Sequence, residues 1–192
     1  MTGNTFLKSF ALAAVVAATP ALAADYVIDT QGAHASVNFR IDHLGVGMVV
    51  GRFNEFEGTF TYDADNLDAT SVEVKINTAS VDTNHAERDR HIRSSDFLEV
   101  SKFSEARFVS TGYEDKGNGQ GLLQGELTLN DQTRPIEIEV AKIGEGNDPW
   151  GGYRAGFSGT TALNLPEFGL NFNLGPAAET VHLDLYIEGI RQ

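Results

Sequence analysis

A short polar segment, residues 88–97, holds the side chains best suited to chemistry. Arg88, Asp89, His91 and Asp96 bring cations, carboxylates and an imidazole together within a few positions. Three roles are open to them. In the first, Arg88 and Asp89 pair with neighbouring residues and Asp96 caps a turn, which fixes the segment to the rest of the fold. In the second, the segment binds a phosphate or another polar headgroup. In the third, His91 acts as a general acid or base. No serine or cysteine nucleophile stands in a recognisable catalytic setting, so we predict that the protein is not an enzyme.

The histidines and cysteines indicate neither a metal nor a cofactor. The chain has five histidines, and none stands four residues from another as a helical ligand pair would, with His85 and His91 six apart. Cysteine is absent, which excludes thiolate metal sites, c-type haem attachment and redox pairs. We therefore predict that no metal or cofactor is required.

Phenylalanine is unusually frequent after the first segment of the chain. Ten of the twelve phenylalanines follow residue 23. Such rings dominate the packing of a core wherever they lie, and they could equally line a long apolar channel for a ligand. The residues that we predict to line such a channel are Phe39, Phe53, Phe56, Phe60, Phe97, Phe108, Phe157, Phe168 and Phe172.

Residues 1–23 have the features of a cleaved secretory signal. Lys8 precedes an apolar run at 10–18, and small residues at 21–23 form a cleavage site. The run is shorter than the roughly 20 residues that a membrane-spanning helix needs, although an uncleaved membrane anchor is the alternative. We expect residues 24–192 to form one mature domain in the periplasm.

Net charge restricts the partners of this domain. The chain carries a formal charge of −13 at pH 7, and it has no long cluster of lysine or arginine that could release counterions from a polyanion. Nucleic acid is therefore excluded as a partner. Anionic lipid headgroups would repel most of the surface, so we expect at most a transient contact with a membrane.

Apolar residues alternate with polar ones along most of the chain after residue 23. This period of two is typical of strands with one buried face, and turn-forming residues separate the strands. About eight or nine strands are expected. The segments predicted to be strands are 26–28, 37–41, 58–62, 71–77, 106–112, 122–129, 136–140, 153–163 and 181–187.

The alternation alone leaves a sandwich and a closed barrel equally open. Both bury one face of every strand, but only the barrel removes exposed strand edges. One segment, 84–94, breaks the period, and Asn84 followed by Glu87 predicts a short capped helix. We expect this helix to lie as a flap across one end of the sheet structure.

The sequence resembles the YceI-like family of secreted, lipocalin-like lipid-binding proteins. The resemblance is carried by His-Leu-Gly at 43–45, by Gly-Arg-Phe-Asn-Glu-Phe-Glu-Gly at 51–58, by the segment 88–97 and by Phe-Gly-Leu at 168–170. It implies an all-β fold, a single antiparallel lipocalin-like β-barrel of about eight strands with a short helical flap.

The same resemblance implies a carrier that holds a polyisoprenoid, or a similar long-chain amphiphile such as a quinone-like lipid, inside the barrel. His43, Arg88, Asp89 and His91 would then stand at the mouth and contact the headgroup. Two alternatives stay open: an accessory protein for a membrane b-type cytochrome or quinone system, and an enzyme that modifies the lipid. Two chains could also pair as a homodimer.

Overall fold

The computed structural model describes residues 23–171 and 175–192. Eleven antiparallel strands, one α-helix and four short 3₁₀ helices make up the regular structure of this part of the chain. The strands are β1 (Ala24–Ile28), β2 (Ser36–His43), β3 (Gly47–Phe53), β4 (Phe56–Tyr62), β5 (Ser71–Asn77), β6 (Val81–Asp82), β7 (Glu105–Gly117), β8 (Gln120–Leu129), β9 (Gln132–Asn147), β10 (Tyr153–Asn164) and β11 (Thr180–Arg191); the helix is α1 (Ala86–Ile92).

Eight of the strands form a closed barrel, which confirms the predicted fold. Their order is β1, β4, β5, β7, β8, β9, β10 and β11, and β1 closes the circle because it pairs with both β4 and β11. Tyr26 on β1 stands opposite Phe60 on one side and Arg191 on the other. Closure removes the exposed edges that an open sheet would offer for aggregation.

The remaining strands extend the barrel wall on one side. β2 pairs with the first half of β11, β3 pairs with β2, and the two-residue β6 pairs with the end of β3. The glycine-rich segment after His43 is the tip of the β2–β3 hairpin, where Leu44 and Gly45 adopt positive φ angles of 60° and 71°.

Tight turns fix the register of the strands that carry the cavity. Asn130 and Asp131 join β8 to β9 with φ angles of 51° and 60°, and Asn118 and Gly119 join β7 to β8 with 56° and 75°. Two successive positive φ angles define the turn whose twist matches that of paired strands. Both turns fall inside segments that the sequence marks as turns.

The predicted flap is a helix of seven residues, and its cap differs from the one expected. Asn84 has a left-handed φ of 59° and stands one residue too early, so His85 is the N-cap and its Nδ1 accepts from the backbone N–H of Arg88. α1 contacts β6, and Ile92 packs against the main core. None of the described helices has the length and apolar character needed to span a bilayer.

Inward-facing side chains form two apolar clusters. The larger one includes Phe39, Phe108 and Phe168, and the smaller one includes Tyr26 and Phe60, whose rings stack with 4.8 Å between centroids. Burial of each such ring contributes about 1.5–3 kcal/mol to stability. An unfilled space lies between these clusters inside the barrel.

Candidate functional site

The interior of the barrel contains an apolar cavity of about 150 Å³. Polar atoms contribute almost nothing to its wall, because alternate residues of the barrel strands point inward and are aliphatic or aromatic. No carboxylate, imidazole or ammonium group occurs among the described residues that line it. The aliphatic part of the wall includes Val72, Val74, Ile76, Leu123, Leu127, Ile136, Ile138, Val140, Leu183, Leu185 and Ile187.

The residues of this lining that carry hydroxyl groups are Thr61, Tyr62, Thr70, Tyr113 and Ser158, and we call the side of the cavity that contains Tyr62, Thr70 and Tyr113 its polar end. Thr70 follows a short 3₁₀ turn, Leu67–Ala69, that contacts both β4 and β7. Its Oγ1 is buried and has no hydrogen-bond partner. A buried hydroxyl without a partner costs free energy, so Thr70 lowers the stability of the folded protein locally.

Lys142 occupies the next inward position of β9 beyond Val140. Its Nζ lies 5.0 Å from the centroid of the Tyr62 ring and 2.6 Å from Oε1 of Glu145. Burial lowers the pKa of Lys142, but hydrogen bonds to Glu145 and Tyr62 outweigh that effect, and its pKa is raised overall. Lys142 is therefore a cation at neutral pH, and it lies against the ring of Tyr62, a residue that lines the cavity.

Tyr113 reaches the same end of the cavity because of a bulge. The pairing of β7 with β8 shifts between Ser110 and Gly112, which lets Phe108 and Tyr113 both face inward. The hydroxyl of Tyr113 lies directly over Gly121, where a Cβ atom would stand 2.1 Å from it. Burial first, and then the charge of Asp115 and the Tyr62 hydroxyl, raise the pKa of Tyr113, so the group stays a hydrogen-bond donor.

Three of the predicted channel residues line the cavity: Phe60, Phe108 and Phe157. Phe157 makes edge contacts with the rings of Phe60 and Tyr62 at centroid distances of 5.7 and 5.1 Å. These three belong to alternating strand segments of the barrel itself, which explains why they point inward.

The other predicted channel residues do not line this cavity. Phe39 and Phe53 pack against each other with 5.8 Å between centroids, and Phe168 is fully buried in the main core. The remaining two described rings are those of Phe56, which packs against the smaller cluster, and Phe97, which contacts the His91 ring at 5.0 Å. Phe172 lies outside the described residues.

Three of the four residues predicted to contact the headgroup are held by the helix and its flanks. Asp89 is buried and accepts from both the backbone N–H and the hydroxyl of Thr83. Arg88 donates to Thr83 Oγ1 at 2.7 Å and to its carbonyl at 2.8 Å. His91 Nε2 lies 3.1 Å from Oδ2 of Asp96.

His43, the fourth predicted headgroup residue, is exposed at the end of β2. None of the four lines the apolar cavity. The contacts of Arg88 and Asp89 with Thr83 match the first of the three roles weighed for the polar segment, in which these two side chains pair with neighbouring residues.

A second polar cluster lies near the start of the barrel. Asp29, His34 and Glu188 bring three ligand atoms within 4.8 Å of one another. Nη1 of Arg154 lies 2.7 Å from Asp29 Oδ2 and 2.6 Å from Glu188 Oε1. A guanidinium already takes the position of a cation between these carboxylates, so the cluster is an ion-pair network.

A larger depression of about 1000 Å³ lies on the outer surface of β8 to β11. Its walls combine polar residues such as Glu126 and Glu137 with apolar ones such as Leu163 and Phe168. A groove open to solvent cannot shield an apolar chain from water, so the interior cavity is the candidate functional site.

Lys142, Tyr113 and Thr70 were not among the residues predicted from the sequence. The pattern held a signal for Lys142, because Ile136, Ile138 and Val140 continue to it in steps of two. No comparable signal exists for Tyr113, because the bulge in β7 decides which face of the strand its side chain occupies. None exists for Thr70 either, because it follows a turn.

A closed antiparallel barrel around an apolar cavity defines a lipocalin-like class of protein. The YceI-like domain family matches residues 26–189. A UPF0312 protein of Shewanella sp. (strain ANA-3) is 57% identical over 178 residues, which cover 93% of each chain. A UPF0312 protein of Shewanella baltica (strain OS155) is 57% identical over 180 residues, 94% of each chain. The chain belongs to the YceI-like family.

Solved structures share this fold at low sequence identity. BcnA of Burkholderia cenocepacia superposes with a TM-score of 0.73 at 17% identity, covering 84% of this chain and 98% of that one. A polyisoprenoid binding domain from Saccharophagus degradans superposes with a TM-score of 0.63 at 14% identity, covering 89% and 100%. These similarities establish the barrel fold.

Proposed function

We propose that this protein is a periplasmic carrier that holds a polyisoprenoid or a similar long-chain amphiphile inside the barrel. The observation that carries the proposal is the cavity inside the barrel with its almost wholly apolar wall. A fold neighbour described as a polyisoprenoid binding domain supports the same class of ligand. Export would depend on a signal within residues 1–23, which lie almost entirely outside the described residues.

Burial of an apolar chain supplies enough free energy for such a role. Each methylene removed from water contributes about 0.8 kcal/mol, so ten contribute roughly 8 kcal/mol. A bilayer offers the same chain an equal gain. Exchange between membrane and barrel is therefore nearly balanced, and contacts to the headgroup decide selectivity. The proposed task is shielding and transfer, with no chemical step.

The size of the cavity constrains how a ligand enters. About 150 Å³ is less than the roughly 300–1,000 Å³ of pockets that hold drug-sized ligands. A chain of several isoprene units must therefore displace lining side chains or extend beyond the mouth.

Mass spectrometry of organic extracts tests the proposal. The mature protein purified from its own periplasm is compared with protein refolded after delipidation. A stoichiometric isoprenoid or quinone-like species in the native sample alone is the expected result. A blank extract, together with no binding when isoprenoids are added back, would contradict the carrier role and favour an accessory protein that binds a membrane partner.

A further inference from the structure

The tip of the β2–β3 hairpin, residues 42–50, exposes a concentrated group of apolar side chains. Eight large apolar side chains are exposed in the described part of the chain, and four of them lie on this tip. They are Leu44 (61% exposed), Val46 (84%), Met48 (50%) and Val50 (63%). Single exposed apolar residues are ordinary, but a contiguous group of them marks an interaction site.

The hairpin tip projects beyond the sheet that supports it. β2 pairs with β11 only as far as Ile41, and β3 pairs with β6 only at Arg52 and Phe53. No third described strand therefore pairs with the tip. A Cβ atom added to Gly45 or to Gly47 would meet no atom within 4 Å, so open space surrounds the turn.

The residue type at the turn is one that the backbone conformation disfavours. Leu44 and Gly45 both have positive φ angles, at 60° and 71°, and asparagine followed by glycine is the favoured pair for such a turn. A leucine side chain crowds its own backbone in this conformation, and its exposure means that little packing compensates. Residues that break a local rule in this way are expected at functional sites.

The charges around the tip are few and nearly balanced. Asp42 is the only carboxylate of the tip. At its base, Arg40 pairs with Asp184 at 2.7 Å, and Arg52 stands opposite Asp82 across β3 and β6. The chain as a whole carries a charge of −13, so anionic headgroups would repel it, whereas a bilayer of neutral headgroups would not.

The size and shape of the tip favour a bilayer over a second copy of the chain. A fully exposed aliphatic side chain presents on the order of 100 Å² of apolar surface, so the four side chains offer only a few hundred. A stable protein interface buries roughly 800 Å² on each partner. Shallow insertion of an apolar surface into the boundary between headgroups and acyl chains gives reversible binding that scales with the area buried.

We propose that the hairpin tip docks the protein reversibly on the surface of a neutral lipid bilayer, with Leu44, Val46 and Met48 inserted among the headgroups. The inference rests on the proposed function, because a carrier has to contact the bilayer that holds its ligand. It assigns that contact to a part of the fold that does not line the cavity.

Co-sedimentation of the purified protein with phosphatidylcholine vesicles tests the docking. Val46→Ser should weaken vesicle binding about tenfold, because it removes apolar surface from the most exposed position of the tip. Val27→Ser makes the same change at an exposed position of β1 and should bind vesicles as the wild type does. Replacing part of the phosphatidylcholine with phosphatidylglycerol should weaken binding of the wild type.

Leu44→Asn separates docking from folding. Asparagine adopts the left-handed conformation of this position more readily than leucine, so the midpoint of thermal unfolding should stay the same or rise. Vesicle binding should nevertheless fall at least about tenfold, because the side chain is no longer apolar. A loss of binding in a variant that is at least as stable as the wild type cannot come from misfolding.

Three results would overturn the assignment. The first is unchanged vesicle binding in both Val46→Ser and Leu44→Asn. The second is tighter binding to phosphatidylglycerol vesicles that salt abolishes, since salt screens contacts made by basic groups. The third is a dimer in solution that Val46→Ser dissociates, because the tip would then belong to a contact between two copies.

Titration of the delipidated wild type with geranylgeraniol distinguishes failure of the docking from failure of the carrier role. Binding of geranylgeraniol without any binding of vesicles refutes the docking and leaves the carrier role intact. Binding of vesicles without any binding of geranylgeraniol refutes the carrier role and leaves the docking surface intact.

Discussion

Two buried polar side chains differ in whether their hydrogen bonds are satisfied within the protein. Asp89 has its carboxylate satisfied by Thr83, whereas the hydroxyl of Thr70 has no partner. A satisfied buried group stabilises the fold, and an unsatisfied one reduces stability unless something else completes it.

Thr70→Val should stabilise the ligand-free protein by about 1 kcal/mol. Valine has nearly the same shape as threonine. The substitution removes a hydroxyl group that is buried away from water and makes no hydrogen bond in compensation. Urea unfolding of the delipidated variant measures the change. Thr160→Val, on the outer face, should change the free energy of unfolding by less than about 0.5 kcal/mol. A clear loss of stability on Thr70→Val would show that the hydroxyl has a partner.

Asp29 should make the stability depend on pH in acid. Arg154, the backbone N–H of Gly32 and His34 lower its pKa to about 2. Because the folded pKa is below the unfolded value of about 3.9, the stabilisation is complete above pH 4 and disappears as the pH falls towards 2. Its size is about 1–2 kcal/mol.

Asp29→Asn removes this dependence, so the stability difference between the wild type and the variant should shrink as the pH falls from 5 to 2. Thermal unfolding across that range measures it. Asp25→Asn, at an exposed position of the adjacent strand, is the control and should follow the wild type. A constant difference between wild type and Asp29→Asn at all pH values would contradict the role of the Asp29 charge.

Among the elements, the strands follow from the sequence more directly than the segments between them. All nine predicted strand segments are strands, because alternation reports which face is buried. β3 was not predicted because glycines interrupt its run of apolar residues. β6 was not predicted because a strand of two residues is too short to show alternation. The helix was expected, but its cap shifted to His85 since the positive φ of Asn84 places the first turn one residue later.

The helix is expected to serve stability more than binding. Asp89→Ala leaves the N–H and the hydroxyl of Thr83 without their acceptor, so the free energy of unfolding should fall by about 2–3 kcal/mol. Lipid affinity should be retained, because Asp89 does not line the cavity. Glu87→Ala, an exposed change on the same helix, should be nearly neutral. Loss of lipid binding in folded Asp89→Ala would instead support the headgroup role predicted from the sequence.

On the scale of the whole molecule, the sequence pattern left a barrel and a sandwich equally open. Both have the same alternation of buried and exposed residues. They differ in whether the first strand pairs with the last. Only the family resemblance decided between them. The cavity was likewise beyond prediction, because it depends on how side chains from eight strands meet, and the rings of Phe39 and Phe168 fill core positions elsewhere.

Filling the cavity should abolish binding without unfolding the barrel. Val140 lines the cavity near its polar end, so Val140→Phe occupies free space and should weaken isoprenoid binding at least about tenfold. Val27→Phe makes the same change at an exposed position, where Val27 keeps 43% of its surface, and should bind normally. Isothermal titration with geranylgeraniol measures both. Unchanged binding to Val140→Phe would place the ligand elsewhere.

The closure of the barrel by β1 also has a consequence for how the chain folds. Residues 26–28 pair with residues 189–191. The wall of the barrel is therefore incomplete until the last strand has formed and paired with the first. Pairings between the two ends of a chain are slow to form, because a large loop must close first. If the chain leaves the cell interior with its amino end first, the finished barrel can exist only after the whole chain has crossed. Export and folding would then be separated in time by the topology alone.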